Sequence, residues 1–208
     1  GGAMSSLAGP DGPLAEPLWP TAWTVYLKAD DIGSAVAKVV PAGGTVLIEP
    51  MRMGSLGKMA FITDPAGAAV GLWEEGEFSG FARDAGPGTP PWFEVMTMDF
   101  DASLAFYREV LGWETFYLGE DGQPADGPGE GGRYASTGAA GLYDATGFLP
   151  AGTQSHWRIY VEVADLDASV EKLRELGGEL LHGPADTPFG RLVTAADPQG
   201  ASFQLGQR

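Results

Sequence analysis

Residues 156–163 read HWRIYVEV, with polar and apolar side chains in strict alternation. A period of two describes a strand with one buried face. Trp157, Ile159, Val161 and Val163 share the apolar face, and His156, Arg158, Tyr160 and Glu162 share the other. The chemistry of that second face is recognition. A guanidinium pairs with an anionic or carbonyl oxygen, and a phenol ring supplies a flat wall. Arg158 cannot ligate a cation. The chain has two histidines, His156 and His182, and no cysteine, so thiol nucleophiles and thiolate metal sites are excluded. His182 reads as a solvated residue in a loop after the following strand. The same alternation places Thr24, Tyr26 and Lys28 on one face of an earlier strand.

The two strands are copies of one another. AWTVYLKADDIGSAVAKVVPAGGTVLIEP (22–50) aligns with HWRIYVEVADLDASVEKLRELGGELLHGP (156–184) at a constant offset of 134. Downstream, Gly57 aligns with Gly190 and Asp64-Pro65 of FITDPAGAAVGLW (61–73) with Asp197-Pro198 of VTAADPQGASFQL (193–205), now at an offset of 133. A fixed register over about fifty residues marks a structural repeat. In each copy an Asp (Asp31, Asp165) opens a helix as an N-cap, and Gly-Gly (Gly43-Gly44, Gly177-Gly178) ends it. Helical spacing puts Ile32, Ala35, Val36 and Val39, or Leu166, Val170 and Leu173, on the buried face. Three short strands follow, giving β-α-β-β-β. The Asp-Pro-x-Gly turns before the last strands need no chemistry beyond the turn itself.

A third module lies between the copies. PPWFEVMTMDFDASLAFYREVLGWETFY (90–117) reads as strand, helix, Gly112, strand, with Leu104, Tyr107 and Leu111 on one helix face. Residues 118–132 are a mobile loop by composition, and RYASTGA and GLYD close the module. The modules therefore span 22–74, 90–147 and 156–208, with 75–89 as linker. GGAMSSLAGP resembles the last strand of a further module, Leu7 matching Leu142, so 1–74 reads as an incomplete first domain lacking an upstream module of about fifty residues. Residues 90–208 read as a complete second domain. Module 22–74 then has an apolar face carrying Trp73 and no partner, so pairing with a second copy, a homodimer, or with the missing segment is expected.

Net charge is −16 across 208 residues, which disfavours nucleic acid and anionic membrane as partners. No apolar run approaches the roughly 18 residues of a membrane helix, and a cytoplasmic location is expected.

Paired β-α-β-β-β modules resemble the vicinal oxygen chelate superfamily, which contains glyoxalase I, the bleomycin and fosfomycin resistance proteins and the extradiol dioxygenases. DASLAFYREVLGW (101–113) is similar to its opening helix, and ITDPAGAAVGLW and AADPQGASFQL are similar to its closing strands. The nearest resemblance is to actinobacterial two-domain glyoxalase-like proteins. The resemblance implies an α+β fold whose modules pair into open, curved, cleft-forming sheets. It places Trp92, Glu94 and Met96, Gly71 and Trp73, and Ser202 and Gln204 on cleft faces. Metal-dependent members hold a divalent ion through His or Glu on a module's first strand and Glu on its last. The corresponding positions here are Thr24, Trp92 and Arg158, then Gly71 and Gln204.

What these residues imply is a protein that binds a small organic molecule through Trp92, Glu94, Arg158, Tyr160 and Gln204, without metal or other cofactor. The alternative is a metal-dependent lyase or dioxygenase of the same superfamily, its site displaced onto His156 with Glu94 or Glu162, or completed by residues outside this sequence. Arg158 would stand beside any cation at the usual positions, costing about 4 kcal/mol at about 4 Å with an effective dielectric of about 20. Protein purified without chelator is therefore expected to carry no stoichiometric Zn, Ni, Mn or Fe. Elemental analysis showing about one metal per chain would restore the enzyme reading.

Overall fold

The computed structural model describes residues 21–80, 86–119, 121–129 and 132–208. The expectation about residues 1–20, and the middle of the expected linker, lie outside the described residues. Module 22–74 consists of β1 (Tyr26–Lys28), α1 (Ile32–Val39), β2 (Thr45–Arg52), β3 (Gly57–Thr63) and β4 (Ala69–Glu75). The middle module contains β5 (Trp92–Thr97), α2 (Phe100–Leu111), β6 (Phe116–Leu118), β7 (Pro124–Ala125), β8 (Tyr134–Ser136) and β9 (Gly141–Asp144). The last contains β10 (His156–Glu162), α3 (Leu166–Glu175), β11 (Glu179–Thr187), β12 (Gly190–Ala196) and β13 (Ser202–Gln207). The fold is α+β, and each module repeats one topology. The first and last strands run parallel as neighbours, β1 with β4, β5 with β9, β10 with β13. The intervening strands, two in the first and last modules and three in the middle one, extend the sheet from the last strand as antiparallel neighbours.

The local chemistry is the expected one. Asp31, Asp99 and Asp165 cap their helices, accepting from the N–H of Ser34, Ala102 and Ala168 at 2.9, 3.2 and 3.0 Å. Gly112 stops α2 in the left-handed region at φ 66°. Pro50 and Pro184 both fall on outer strands where the pairing register slips, places where a missing donor is tolerated. One strand was not expected: within the loop 118–132, β7 pairs with β6. No helix among the described residues is long and apolar enough to cross a membrane.

Two compact units gather these elements. Among the described residues, one comprises 25–80 with 92–157, the other 158–208 with 86–91 and 21–24. The second has its core around Leu166, Val170, Val193 and Leu205, with Phe203 packed on one side against Trp23. In the first, α1 buries the four residues its spacing selects, Ile32, Ala35, Val36 and Val39. Helix α2 buries more than one face: Ser103, Phe106 and Val110 are covered as well as Leu104 and Tyr107, while Leu111 is only half-buried. The reason is that α1 packs against α2. Phe106 lies so close to Gly44 that a Cβ there would strike its ring, and Lys38 Nζ donates to the Glu109 carbonyl at 3.0 Å.

The two Asp-Pro-x-Gly turns build the same hairpin. Ala68 N–H donates to Asp64 Oδ1 at 2.8 Å, and Ala201 N–H to Asp197 Oδ1 at 3.0 Å, with Gly67 and Gly200 both at φ 88°. Their second oxygens differ. Asp64 is 2% exposed, and its Oδ2 accepts from Ser103 Oγ on α2 at 2.9 Å. Thr97 Oγ1 lies 2.7 Å from Ser103 Oγ, and the hydroxyl of Tyr107, which accepts from Trp157 Nε1 at 3.0 Å, reaches Asp64 as well. Two chains of donors thus end on one carboxylate. Burial pushes the Asp64 carboxyl above the ordinary range against the pull of those donors, and burial also pushes Tyr107 well up. With its folded value above its unfolded one, Asp64 takes up a proton first in the folded state. Acidification through that window favours the fold, and the contribution is lost as pH rises through the folded value.

Asp64→Asn would turn amide donors toward the Ser103 and Tyr107 hydroxyls. It is expected to cost about 1–3 kcal/mol in urea unfolding at neutral pH. Asp197→Asn, whose turn oxygen is retained and whose second oxygen meets no buried donor chain, is expected to change stability by less than about 0.5 kcal/mol.

Candidate functional site

Each helix covers one face of its sheet and leaves the other for function. Strand register defines a row of side chains across that second face. In module 22–74 the row is Tyr26, Gly71, Phe61, Ile48. In the middle module it is Glu94, Gly141, Ser136, Phe116. In the last it is Tyr160, Gln204, Thr194, His182.

The first row is filled by its own aromatic side chains. Tyr26 lies over Gly71 so closely that any Cβ there would enter its ring. Its ring meets Phe61 at 6.2 Å and Trp73 at 6.4 Å between centroids, both edge-on. Phe78 covers Trp73 in turn at 5.9 Å, and its carbonyl accepts from Trp73 Nε1 at 2.9 Å. Burial raises the Tyr26 hydroxyl.

The middle row is built around a carboxylate. Glu94 is 7% exposed, between half-buried Trp92 two residues back and buried Met96 two residues on, on the same face of β5. Tyr134 joins Trp92 to Glu94: its hydroxyl accepts from Trp92 Nε1 at 2.9 Å and donates to Glu94 Oε2 at 2.9 Å. Gly141 makes this geometry available, because a Cβ there would collide with the Tyr134 hydroxyl. Tyr143 extends the aromatic surface, 5.9 Å from Tyr134 between ring centroids.

In the last row Tyr160 and Gln204 are direct cross-strand partners, and Arg158 precedes Tyr160 by two residues on the same face. Gln204 is 5% exposed, and its Oε1 accepts from Thr194 Oγ1 at 2.8 Å. His182 lies on β11 opposite Thr194, which corrects its expected place in a loop. The bulge that follows it carries the strand on past Pro184, where the composition suggested an end. Thus Trp92 and Glu94 are brought together in one unit, and Arg158, Tyr160 and Gln204 in the other.

Three residues on or beside these rows had drawn no functional role from the sequence. Tyr134 was visible only as part of a strand. Thr194 and His182 carried a legible signal: the repeat sets them against Phe61 and Ile48, a change from apolar to polar on a shared face. The donor set does not fit a divalent cation. The first- and last-strand positions offer an indole, a guanidinium, a hydroxyl, a glycine and an amide whose oxygen is engaged. His156 Nδ1 is bonded to the Gln154 carbonyl at 2.9 Å, and among the described residues no three His, Asp or Glu side chains group as a metal site would require.

The fold and these rows describe a module-repeat protein of the glyoxalase type. Residues 2–72 and 89–205 match the family model of the glyoxalase/bleomycin resistance protein/dioxygenase superfamily, and the chain belongs to that superfamily. It is similar to the glyoxylase-like protein CFP32 of Mycobacterium tuberculosis, 36% identical over 206 residues covering 99% of this chain and 76% of that protein. It is similar also to DnrV of Streptomyces peucetius, an anthracycline biosynthesis protein, 37% identical over 199 residues covering 89% of this chain and 66% of that protein. The chain therefore spans only part of the length of these relatives. Two solved structures share the fold. The Mn(II)-bound glyoxalase from Novosphingobium aromaticivorans matches with TM-score 0.55 and 16% identity, over 88% of this chain and 61% of that one. The 2,3-dioxygenase LapB from Pseudomonas sp. KL28 matches with TM-score 0.55 and 15% identity, over 88% and 70%.

Gly141→Ala forces Tyr134 away from Trp92 and Glu94. It is expected to cost about 1–3 kcal/mol in thermal or urea unfolding and to alter tryptophan fluorescence. Gly147→Ala, where an added Cβ meets nothing within 4 Å, is expected to be neutral in both measurements.

Proposed function

We propose that this chain binds a small, planar, oxygen-bearing organic molecule through residues of the set Trp92, Glu94, Arg158, Tyr160 and Gln204, without a metal. The observation that carries this reading is the contrast between rows. One sibling row is occupied by the aromatic rings of Tyr26, Phe61 and Trp73, whereas the other two keep buried polar groups, Glu94 and Gln204, each bonded to a hydroxyl. Burying a carboxylate or an amide costs free energy that simple packing would avoid. Aromatic walls with a few fixed polar groups suit a planar ligand. Two relatives named for anthracycline biosynthesis, DnrV and DauV, point to polycyclic aromatic ketones as the class to try first.

A metal-dependent lyase or dioxygenase is the second reading, favoured by one feature, the buried Glu94 carboxylate on a first strand. Both readings are tested by titrating the metal-free protein with a dihydroxyanthraquinone while following tryptophan fluorescence. Saturable quenching is expected, weakened about tenfold or more by Trp92→Leu, the loss of roughly 1.4 kcal/mol or more from one aromatic contact. Binding that needs added Mn or Fe, or turnover on adding them, would support the second reading and overturn the first.

A further inference from the structure

We infer that Asp64, Ser103 and Thr97 form a proton-coupled relay: a proton taken up at the turn of the first repeat reverses two buried hydroxyls and is read where β5 passes into α2. The inference stands independently of the binding reading above.

All three side chains are buried, and the direction of each link follows from what its two ends can do. The Asp99 N–H can only donate, and it donates to Thr97 Oγ1 at 3.0 Å. An ionised carboxylate can only accept, and Asp64 Oδ2 accepts from Ser103 Oγ at 2.9 Å. The one hydroxyl hydrogen of Ser103 is thereby committed. In the 2.7 Å link between the two hydroxyls Thr97 therefore donates and Ser103 accepts. The second chain runs the same way, from the donor-only Trp157 Nε1 to the Tyr107 hydroxyl, which reaches Asp64 as well. Ala68 N–H occupies Oδ1. The groups bonded to the carboxylate are thus all donors.

A proton on Asp64 needs an acceptor, and only a hydroxyl that changes role supplies one. Trp157 Nε1 cannot exchange donor for acceptor, whereas Ser103 and Thr97 both can. Burial pushes the Asp64 carboxyl above the ordinary range, so it takes up its proton before an ordinary aspartate. Ser103 then accepts from Asp64 and donates to Thr97, and Thr97 no longer donates to Ser103. Hydrogen bonds in a chain polarise one another, so a hydroxyl that has stopped donating is a poorer acceptor. The bond from the Asp99 N–H weakens as a result. Of the titratable groups on the packed elements, Tyr107 alone meets Asp64, and burial pushes its hydroxyl well up, so it keeps its proton. The charged side chains of α1 and α2 are engaged at the surface: Lys38 with Glu109, Asp101 with Arg133, Arg108 with Thr115.

The repeat shows that the fold does not demand these hydroxyls. Two residues before the helix caps, where the middle module has Thr97, its siblings have Ala29 and Val163. Four residues after the caps, where it has Ser103, they have Ala35 and Ser169, and Ser169 Oγ donates to the carbonyl of its own cap, Asp165, at 2.6 Å. Only in the middle module do both hydroxyls stand in line with a carboxylate from another module.

The experiment is an NMR titration of the full chain from neutral pH into mild acid, following the Asp64 carboxyl carbon and the Asp99 amide. In the wild-type chain both are expected to move with one midpoint, the Asp99 amide proton shifting upfield as its bond weakens. Asp64→Asn is expected to remove that transition, leaving only the one due to Asp99's own carboxyl. In Ser103→Ala, Asp64 is expected to titrate still while the Asp99 amide no longer follows it. An Asp99 amide that ignores the Asp64 midpoint in the wild-type chain overturns the relay. So does one that still follows it in Ser103→Ala, which is the mark of a field acting through space, and so does an Asp64 that stays ionised until the chain unfolds. Thermal unfolding checks that each variant folds. Should Ser103→Ala fail to fold, Thr97→Val, which removes the second hydroxyl, is read against the same two outcomes.

Discussion

The structure depends on the parallel pairing of each module's first and last strands. Parallel strands cannot be joined by a tight turn, so the chain must leave the sheet and return through a crossover. In every module the helix begins that crossover and two or, in the middle module, three further strands complete it, so the last strand returns beside the first. The helix covers one face of the sheet. The first and last strands are then neighbours on the other face, whatever their sequences. Tyr26 meets Gly71, Glu94 meets Gly141 and Tyr160 meets Gln204 because of this topology. Evolution of chemistry on such a frame reduces to choosing side chains for a few fixed places.

The three modules show how differently those places can be used without disturbing the frame. The caps, the glycine helix stops and the Asp-Pro-x-Gly hairpins recur, since each satisfies backbone groups that any sequence would leave open. The divergence sits where a repeat meets a neighbour. Asp64 and Asp197 bind their own turns identically, but Asp64 also receives Ser103 and Tyr107 from the adjoining module. One residue thereby does a local task and a tertiary one. Thr97, at the end of the strand that carries Glu94, lies against Ser103 in the same network. Docking of the first repeat and placement of the Glu94 strand are therefore physically joined.

Much of this was legible in the sequence. The offset of 134 and then 133 exposed the repeat, alternation along 156–163 chose the face of Arg158 and Tyr160, and helical spacing picked the buried residues of α1. Those are local or periodic properties, and one chain displays them. The second buried face of α2 was not legible, because Phe106 and Ser103 are covered by a partner distant in sequence. Tyr134 was not legible for a similar reason. Its role needs Gly141 beneath it and Trp92 and Glu94 beside it, three residues from two other strands. His182 was placed in a loop, whereas the outer strand β11 runs through it and on past a bulge that accommodates Pro184.

The same register explains why a cation does not suit these places. A divalent ion requires several oxygen or nitrogen donors converging from first and last strands. Gly71 offers no side chain, and the space above it belongs to the Tyr26 ring. Gly141 likewise lies beneath Tyr134, whose hydroxyl is already bonded to the Glu94 carboxylate. Gln204 does have an oxygen, but Thr194 holds it, and Arg158 brings a permanent positive charge to the same face. At each of these places the donor a cation would use is absent or already engaged: Gly71 and Gly141 lie beneath tyrosine rings, the Glu94 carboxylate accepts from Tyr134, and the Gln204 oxygen accepts from Thr194.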